Sequence, residues 1–113
     1  MNLTTEQAND ISIVRVGESR VMYPILGDFS AAVGALLTEG RRDILIDLAQ
    51  VTYVDSATIG CLMDLFRQVH GAGGRLKLSG VQPRVKTMLT LTGAQNFLEI
   101  HTDELSAVKS FGA

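Results

Sequence analysis

The chain has 113 residues, 46% of them hydrophobic and 19% charged, with 10 basic against 12 acidic side chains and a formal net charge of -2. That is the size of one domain with a core of its own, and the near-neutral balance argues against a nucleic-acid binder, whose footprint is a basic excess. One cysteine and two histidines exclude an internal disulfide framework and leave little for a structural zinc site. No apolar run approaches the ~18 residues that span a bilayer. The first ten residues are polar, without the basic and apolar stretches of a secretory leader. The expectation is a cytoplasmic protein with no direct membrane insertion.

Residues 2–7 read as a weak strand, joined by an Ala8-Asn9-Asp10 turn to the alternating, β-branched strand Ile11-Ser12-Ile13-Val14-Arg15-Val16. Gly17 to Tyr23 is a connection. From Pro24 the period becomes helical: Ile25, Leu26, Phe29, Ala32, Val33, Leu36 and Leu37 form one stripe, with Pro24 in the first turn and Gly40 as the stop. Gly27 and Gly34 inside this helix each cost roughly 1 kcal/mol against alanine, which points to close packing on a sheet. Ile44-Leu45-Ile46-Asp47-Leu48 is a near-continuous apolar run, the pattern of a strand buried on both faces. After Ala49-Gln50, Val51-Thr52-Tyr53-Val54 leads into Asp55-Ser56.

A second helix is expected over 57–70, with the stripe Ile59, Leu62, Met63, Phe66 and Val69, ended by Gly71, Gly73 and Gly74. Arg75-Leu76-Lys77-Leu78-Ser79 is a strand that places Arg75 and Lys77 on one face. A third helix opens at Gln82-Pro83, carries Val85, Met88 and Leu89, and closes at Gly93. Phe97-Leu98-Glu99-Ile100 is a short last strand, and Thr102 caps a final helix through Leu105, Val108 and Phe111. This alternation implies an α/β fold: one domain over 1–113, with a single mixed, largely parallel sheet of roughly four to five strands and about four helices.

Enzyme signatures are missing from the sequence. There is no G-x-x-x-x-G-K-[ST] loop, no G-x-G-x-x-G and no H-E-x-x-H. Gly71-Ala72-Gly73-Gly74 lies at the C-terminal end of a helix, the wrong end for a phosphate cradle. His70 and His101 read as solvated surface, and Cys61 as a small packed residue. The expectation is a protein that is not an enzyme and carries no cofactor or metal. The informative segment is Val54-Asp55-Ser56-Ala57-Thr58-Ile59-Gly60, where a strand run ends and a helix begins. Ser56 or Asp55 can be the N-cap, accepting a first-turn N–H. Ser56 can also be exposed and chemically addressed, since a phosphoryl group there adds close to two negative charges beside Asp55. The helix N-terminus tolerates that charge, and an acidic or dry partner surface does not. The two readings are compatible.

The stretch Ile44 to Gly60, Ile-Leu-Ile-Asp-Leu-Ala-Gln-Val-Thr-Tyr-Val-Asp-Ser-Ala-Thr-Ile-Gly, resembles the central signature of STAS domains, the family of bacterial anti-sigma factor antagonists. Gly73 to Val81, followed by Val85, Leu89, Leu91, Gly93 and Phe97, is similar to the family's second half. The resemblance implies a partner-switching regulator. Unphosphorylated, such a protein binds an anti-sigma factor that is also a serine kinase and thereby releases a sigma factor; phosphorylation ends the complex and a phosphatase resets it. The resemblance places the phosphoacceptor at Ser56, with Thr58 as a second, lower-ranked hydroxyl. It places the partner-facing edge at Arg20, Tyr23, Asp55, Ser56, Ala57, Thr58 and Ile59, on a monomer or weak dimer. An alternative in the same fold is a constitutively docked subunit of a stress-signalling or membrane-transport complex.

Two departures stand out. The family commonly has Ser/Thr-Gly where this chain has Ala57-Thr58. Many members carry Gly-Glu-Leu-Asp where this chain has Gly17-Glu18-Ser19-Arg20. Arg20 therefore stands where an acid is usual, able to attract a phosphate in cis or to meet a differently charged partner.

Overall fold

Asn9 makes the first turn. Its backbone sits in the left-handed region at φ 57°, which asparagine tolerates better than most residues. It folds β1 (Leu3–Ala8) back antiparallel on β2 (Ile11–Val16), with Ala8 opposite Ile11 and Leu3 opposite Val16. The computed structural model describes residues 2–112, so the first and last positions of the expected 1–113 domain lie outside the described residues. The chain continues through β3 (Arg20–Val21), a 3-10 turn (Tyr23–Ile25), α1 (Leu26–Thr38), β4 (Asp43–Asp47), β5 (Tyr53–Val54) and α2 (Ser56–Gly71). It then runs through β6 (Arg75–Ser79), α3 (Pro83–Leu91), a 3-10 turn (Ala94–Asn96), β7 (Glu99–Ile100) and α4 (Glu104–Ser110).

The main sheet has five strands in the order β1-β2-β4-β6-β7. Only the β1–β2 pair is antiparallel; the others are parallel and joined by crossing helices. This is the mixed, largely parallel α/β sheet that the alternation predicts. Because side chains alternate across a strand, Val14, Ile44, Ile46, Leu76 and Leu78 face α1, α2 and α3 and pack with Phe29, Val33, Leu62, Leu65 and Leu89. Ile11, Ile13 and Leu45 face the other way, under Ala107 of α4 and Phe111. The run Ile44-Leu45-Ile46 is continuous because both faces of β4 are covered.

On the α4 side, Arg75 and Lys77 share a face as expected. Their cations lie 5.1 and 4.6 Å from the Phe111 ring centroid and donate to the carbonyls of Phe111 and Ser110. Their stems cover apolar surface while the charges meet the C-terminal carbonyls of α4. Arg15 ties β1, β4 and α4 together through Glu6, Asp47 and Glu104.

Several local expectations change. Pro24 opens a 3-10 turn, and α1 begins only at Leu26. A Cβ added at Gly27 or Gly34 meets nothing within 4 Å, so close packing is not their reason. Gly74, expected only as a helix stop, has a packing reason as well: a Cβ there would lie 2.2 Å from the Arg42 carbonyl oxygen. The cap of α4 is Asp103, whose carboxylate accepts the Ser106 N–H, and not Thr102. Phe97 lies outside β7 and is exposed, as is Leu105 on α4. His101 is half-buried against Glu99, its Nε2 2.6 Å from the carboxylate, and is not solvated surface.

Candidate functional site

The segment 17–23, read from sequence as a bare connection, contains β3, which pairs parallel with β5 in a separate two-stranded sheet. Arg20 lies opposite Tyr53, and Val21 opposite Val54. Backbone N–H groups of Thr52 and Tyr53 donate to the Ser19 carbonyl at 2.8 and 3.1 Å. The pairing fixes the connection against the residues that open α2.

Asp55 is the N-cap of α2, in extended conformation. Its Oδ1 accepts the Thr58 N–H at 2.8 Å, and its Oδ2 accepts the Tyr23 N–H at 3.0 Å. One carboxylate thus caps the helix and anchors the connection. Burial pushes its pKa up, but the Thr58 side chain and the Tyr23 and Thr58 backbone donors outweigh burial and hold it below the usual carboxylate range. A depressed carboxylate stabilises the fold above its unfolded-state pKa, and that contribution fades as pH falls through the folded-state value. Asp55→Ala is therefore expected to lower stability at neutral pH by about 1–2 kcal/mol, the cost of a lost N-cap. Urea unfolding at neutral and at acid pH should show the gap from wild type narrowing on acidification; a constant gap would assign the loss to something other than the ionised cap.

With Asp55 as cap, Ser56 is the first residue of α2, and it is exposed together with Ala57. Thr58 is only 2% exposed. Its hydroxyl lies 2.8 Å from the Val21 carbonyl oxygen and 2.6 Å from Asp55 Oδ1, so its one proton is committed to these acceptors. Ile59 belongs to the main core. Of the residues expected on the partner-facing edge, Thr58 and Ile59 therefore lie beneath it, whereas Arg20, Tyr23, Ser56 and Ala57 are exposed and Asp55 is half-buried. Tyr23 is 72% exposed. Beside this edge, between α1 and α2, lies an open groove of ≈ 420 Å³ lined by Tyr23, Gly27, Ser30, Ala57, Gly60 and Asp64 among others. Cys61 is half-buried on its wall, Sγ 3.3 Å from Ser30 Oγ, in keeping with a small packed residue.

Residues 2–107 match the STAS domain family. The chain belongs to the STAS domain family. Among curated relatives, the anti-sigma-B factor antagonist of Bacillus subtilis (strain 168) is 30% identical over 96 residues, 84% of each chain. The STAS fold recurs in a Planctomyces limnophilus anti-sigma-factor antagonist domain protein, with a TM-score of 0.88 at 15% identity over 98% of each chain. It recurs also in the phosphorylated form of the Bacillus cell fate determinant SpoIIAA, with a TM-score of 0.73 at 14% identity over 97% of this chain and 99% of that one. These relatives are regulatory proteins by name. Among the described residues, no helix is long and apolar enough to cross a membrane, and no group of three or more His, Cys, Asp or Glu side chains is placed to hold a metal ion.

Two residues at this STAS edge escape sequence reasoning. Tyr53 carries the Arg20 guanidinium 4.7 Å from its ring centroid and the Arg84 guanidinium, from α3, at 5.3 Å. No local spacing links Arg84 to the edge; only the packing of α3 beside β5 brings it there.

Proposed function

We propose that the protein is a phosphorylation-controlled partner-switching regulator. Unphosphorylated, it binds an anti-sigma factor with serine kinase activity and so frees a sigma factor; the kinase phosphorylates Ser56, the complex is lost, and a phosphatase resets it. The observation that carries this reading is the division of labour at the start of α2: Asp55 takes the capping role, Thr58 is buried, and Ser56 is left as the exposed hydroxyl on the edge. The names of the curated relatives support the partner class.

A phosphoryl group at Ser56 carries roughly -1.5 to -2 charge at pH 7. It would sit at the positive end of α2, which stabilises it. The carboxylate of Asp55 already engages the Thr58 and Tyr23 donors, so the new charge finds those two taken and stays at the partner surface. Binding then fails through repulsion and desolvation at the contact, with the fold intact. Incubation with the kinase and ATP is expected to add one phosphoryl group, localised by fragmentation mass spectrometry to Ser56 within the peptide following Arg42. Label on Thr58 would mean that α2 opens before transfer, and no label at all would remove the switch.

A further inference from the structure

Arg15, Arg41, Arg42, Arg67 and Arg75 all donate to oxygen acceptors of the chain. Arg20 and Arg84 are the exception. Among the described residues neither has an ion-pair or hydrogen-bond partner, and both are exposed. They are nevertheless placed together, on one ring. Two like charges near one another repel, and a cation over the face of a half-buried ring recovers only part of that cost. A chain with a net acidic excess thus concentrates two unpaired guanidinium groups at one spot.

The chemistry of the stack says what it suits. A guanidinium lying over a ring keeps its edge N–H donors free, in a fixed planar fork that matches a carboxylate. Arg20 and Tyr53 alternate with the buried Val21 and Val54 along β3 and β5, so their side chains lie on the other face of this pair, and the Tyr53 ring holds both guanidinium carbons within 5.3 Å of its centroid. The orientation is therefore partly set before any partner arrives. Tyr53 also lies on the strand that leads through Asp55 into Ser56, which puts the stack three residues along the chain from that hydroxyl.

We propose that the Arg20–Tyr53–Arg84 stack is a docking surface for a carboxylate-rich segment of the partner protein. The location beside a phosphorylation switch rests on the reading given under Proposed function; the surface itself does not. It adds a reason for the switch to work: negative charge placed at Ser56 repels the acidic segment and competes with it for the same arginines. Local positive charge on a chain of net charge -2 also steers an acidic segment to this edge in preference to the rest of the surface.

The probe is an oligoglutamate peptide, followed by NMR on the full chain, with oligolysine and inorganic phosphate titrated in parallel. Saturable shifts are expected at Arg20, Tyr53 and Arg84. They should weaken as salt is raised, because exposed charges are screened. Arg20→Gln with Arg84→Gln should bind roughly tenfold more weakly, or not measurably, with an unchanged thermal melt. Equal binding by the double variant would overturn the proposal, as would shifts gathered at Arg41, Arg42 or Lys109. Inorganic phosphate saturating the same resonances at lower concentration than the peptide would overturn the choice of carboxylate. Peptide binding at the stack with no kinase acting on Ser56 would leave the surface standing and remove the switch; phosphorylation of Ser56 with no peptide binding would do the reverse.

Discussion

Leu62→Asp is expected to leave the chain unfolded at room temperature. Leu62 is 1% exposed, in the middle of the α2 stripe against the sheet. Truncating a leucine in such a position costs about 3–5 kcal/mol through lost transfer energy and the cavity left behind. The aspartate adds to this an unpaired charge with no donor among its apolar neighbours. The sum reaches the whole stability of an ordinary domain, roughly 5–15 kcal/mol. Leu105→Asp on α4 is the control, because Leu105 is 66% exposed and surface substitutions shift stability by about 0.5 kcal/mol or less. Circular dichroism melts of the two variants should differ completely; a normal melt for Leu62→Asp would mean that α2 does not present this face to the core.

The two substitutions share a chemistry and differ only in place, and sequence periodicity separates them unequally. In α2 the stripe is long and regular, so Ile59, Leu62 and Val69 are recognisable as core from spacing alone. Met63 and Phe66, on the margin of the stripe, are only partly buried, while Leu65 is fully buried. A spacing rule locates the centre of a face better than its edges. In the final helix the stripe spans barely two turns. Leu105 falls on the solvent side because α4 is seated by Ala107, Phe111 and the arginine and lysine of β6, not by a continuous apolar ridge.

The parallel sheet was legible because unbroken apolar runs, β-branched residues and helical stripes alternate strictly along the chain. The β3–β5 pair was not: its strands are two residues long, too short for any period. The same limit applies to the candidate site. Asp55-Ser56 is visible because capping chemistry is local, though spacing does not decide which of the two caps, and the role falls to Asp55. That Thr58 turns inward depends on the Val21 carbonyl, far off in the sequence. That Arg20 meets Arg84 depends on three elements converging on Tyr53. Neither leaves a trace in local spacing.

Ser56→Asp should lose the partner, while Ser56→Ala should keep it. Both changes sit on the first residue of α2, where the side chain is exposed and the cap is supplied by Asp55, so neither removes a structural bond shown by the fold. Alanine is a good helix former, and an aspartate in the first turn is favourable by roughly 0.3–1 kcal/mol. Melts of the two variants should therefore match wild type closely, and any difference in binding belongs to the surface. One carboxylate supplies about half the charge of a phosphoryl group, so the expected loss for aspartate is roughly 10–100-fold in affinity, or about 1.4–2.8 kcal/mol, with the phosphorylated protein weaker still. Calorimetry with the purified anti-sigma factor measures all three. Equal affinity for alanine and aspartate would turn the reading toward a constitutively docked subunit, because an edge that ignores a charge on its first helical residue cannot be switched there.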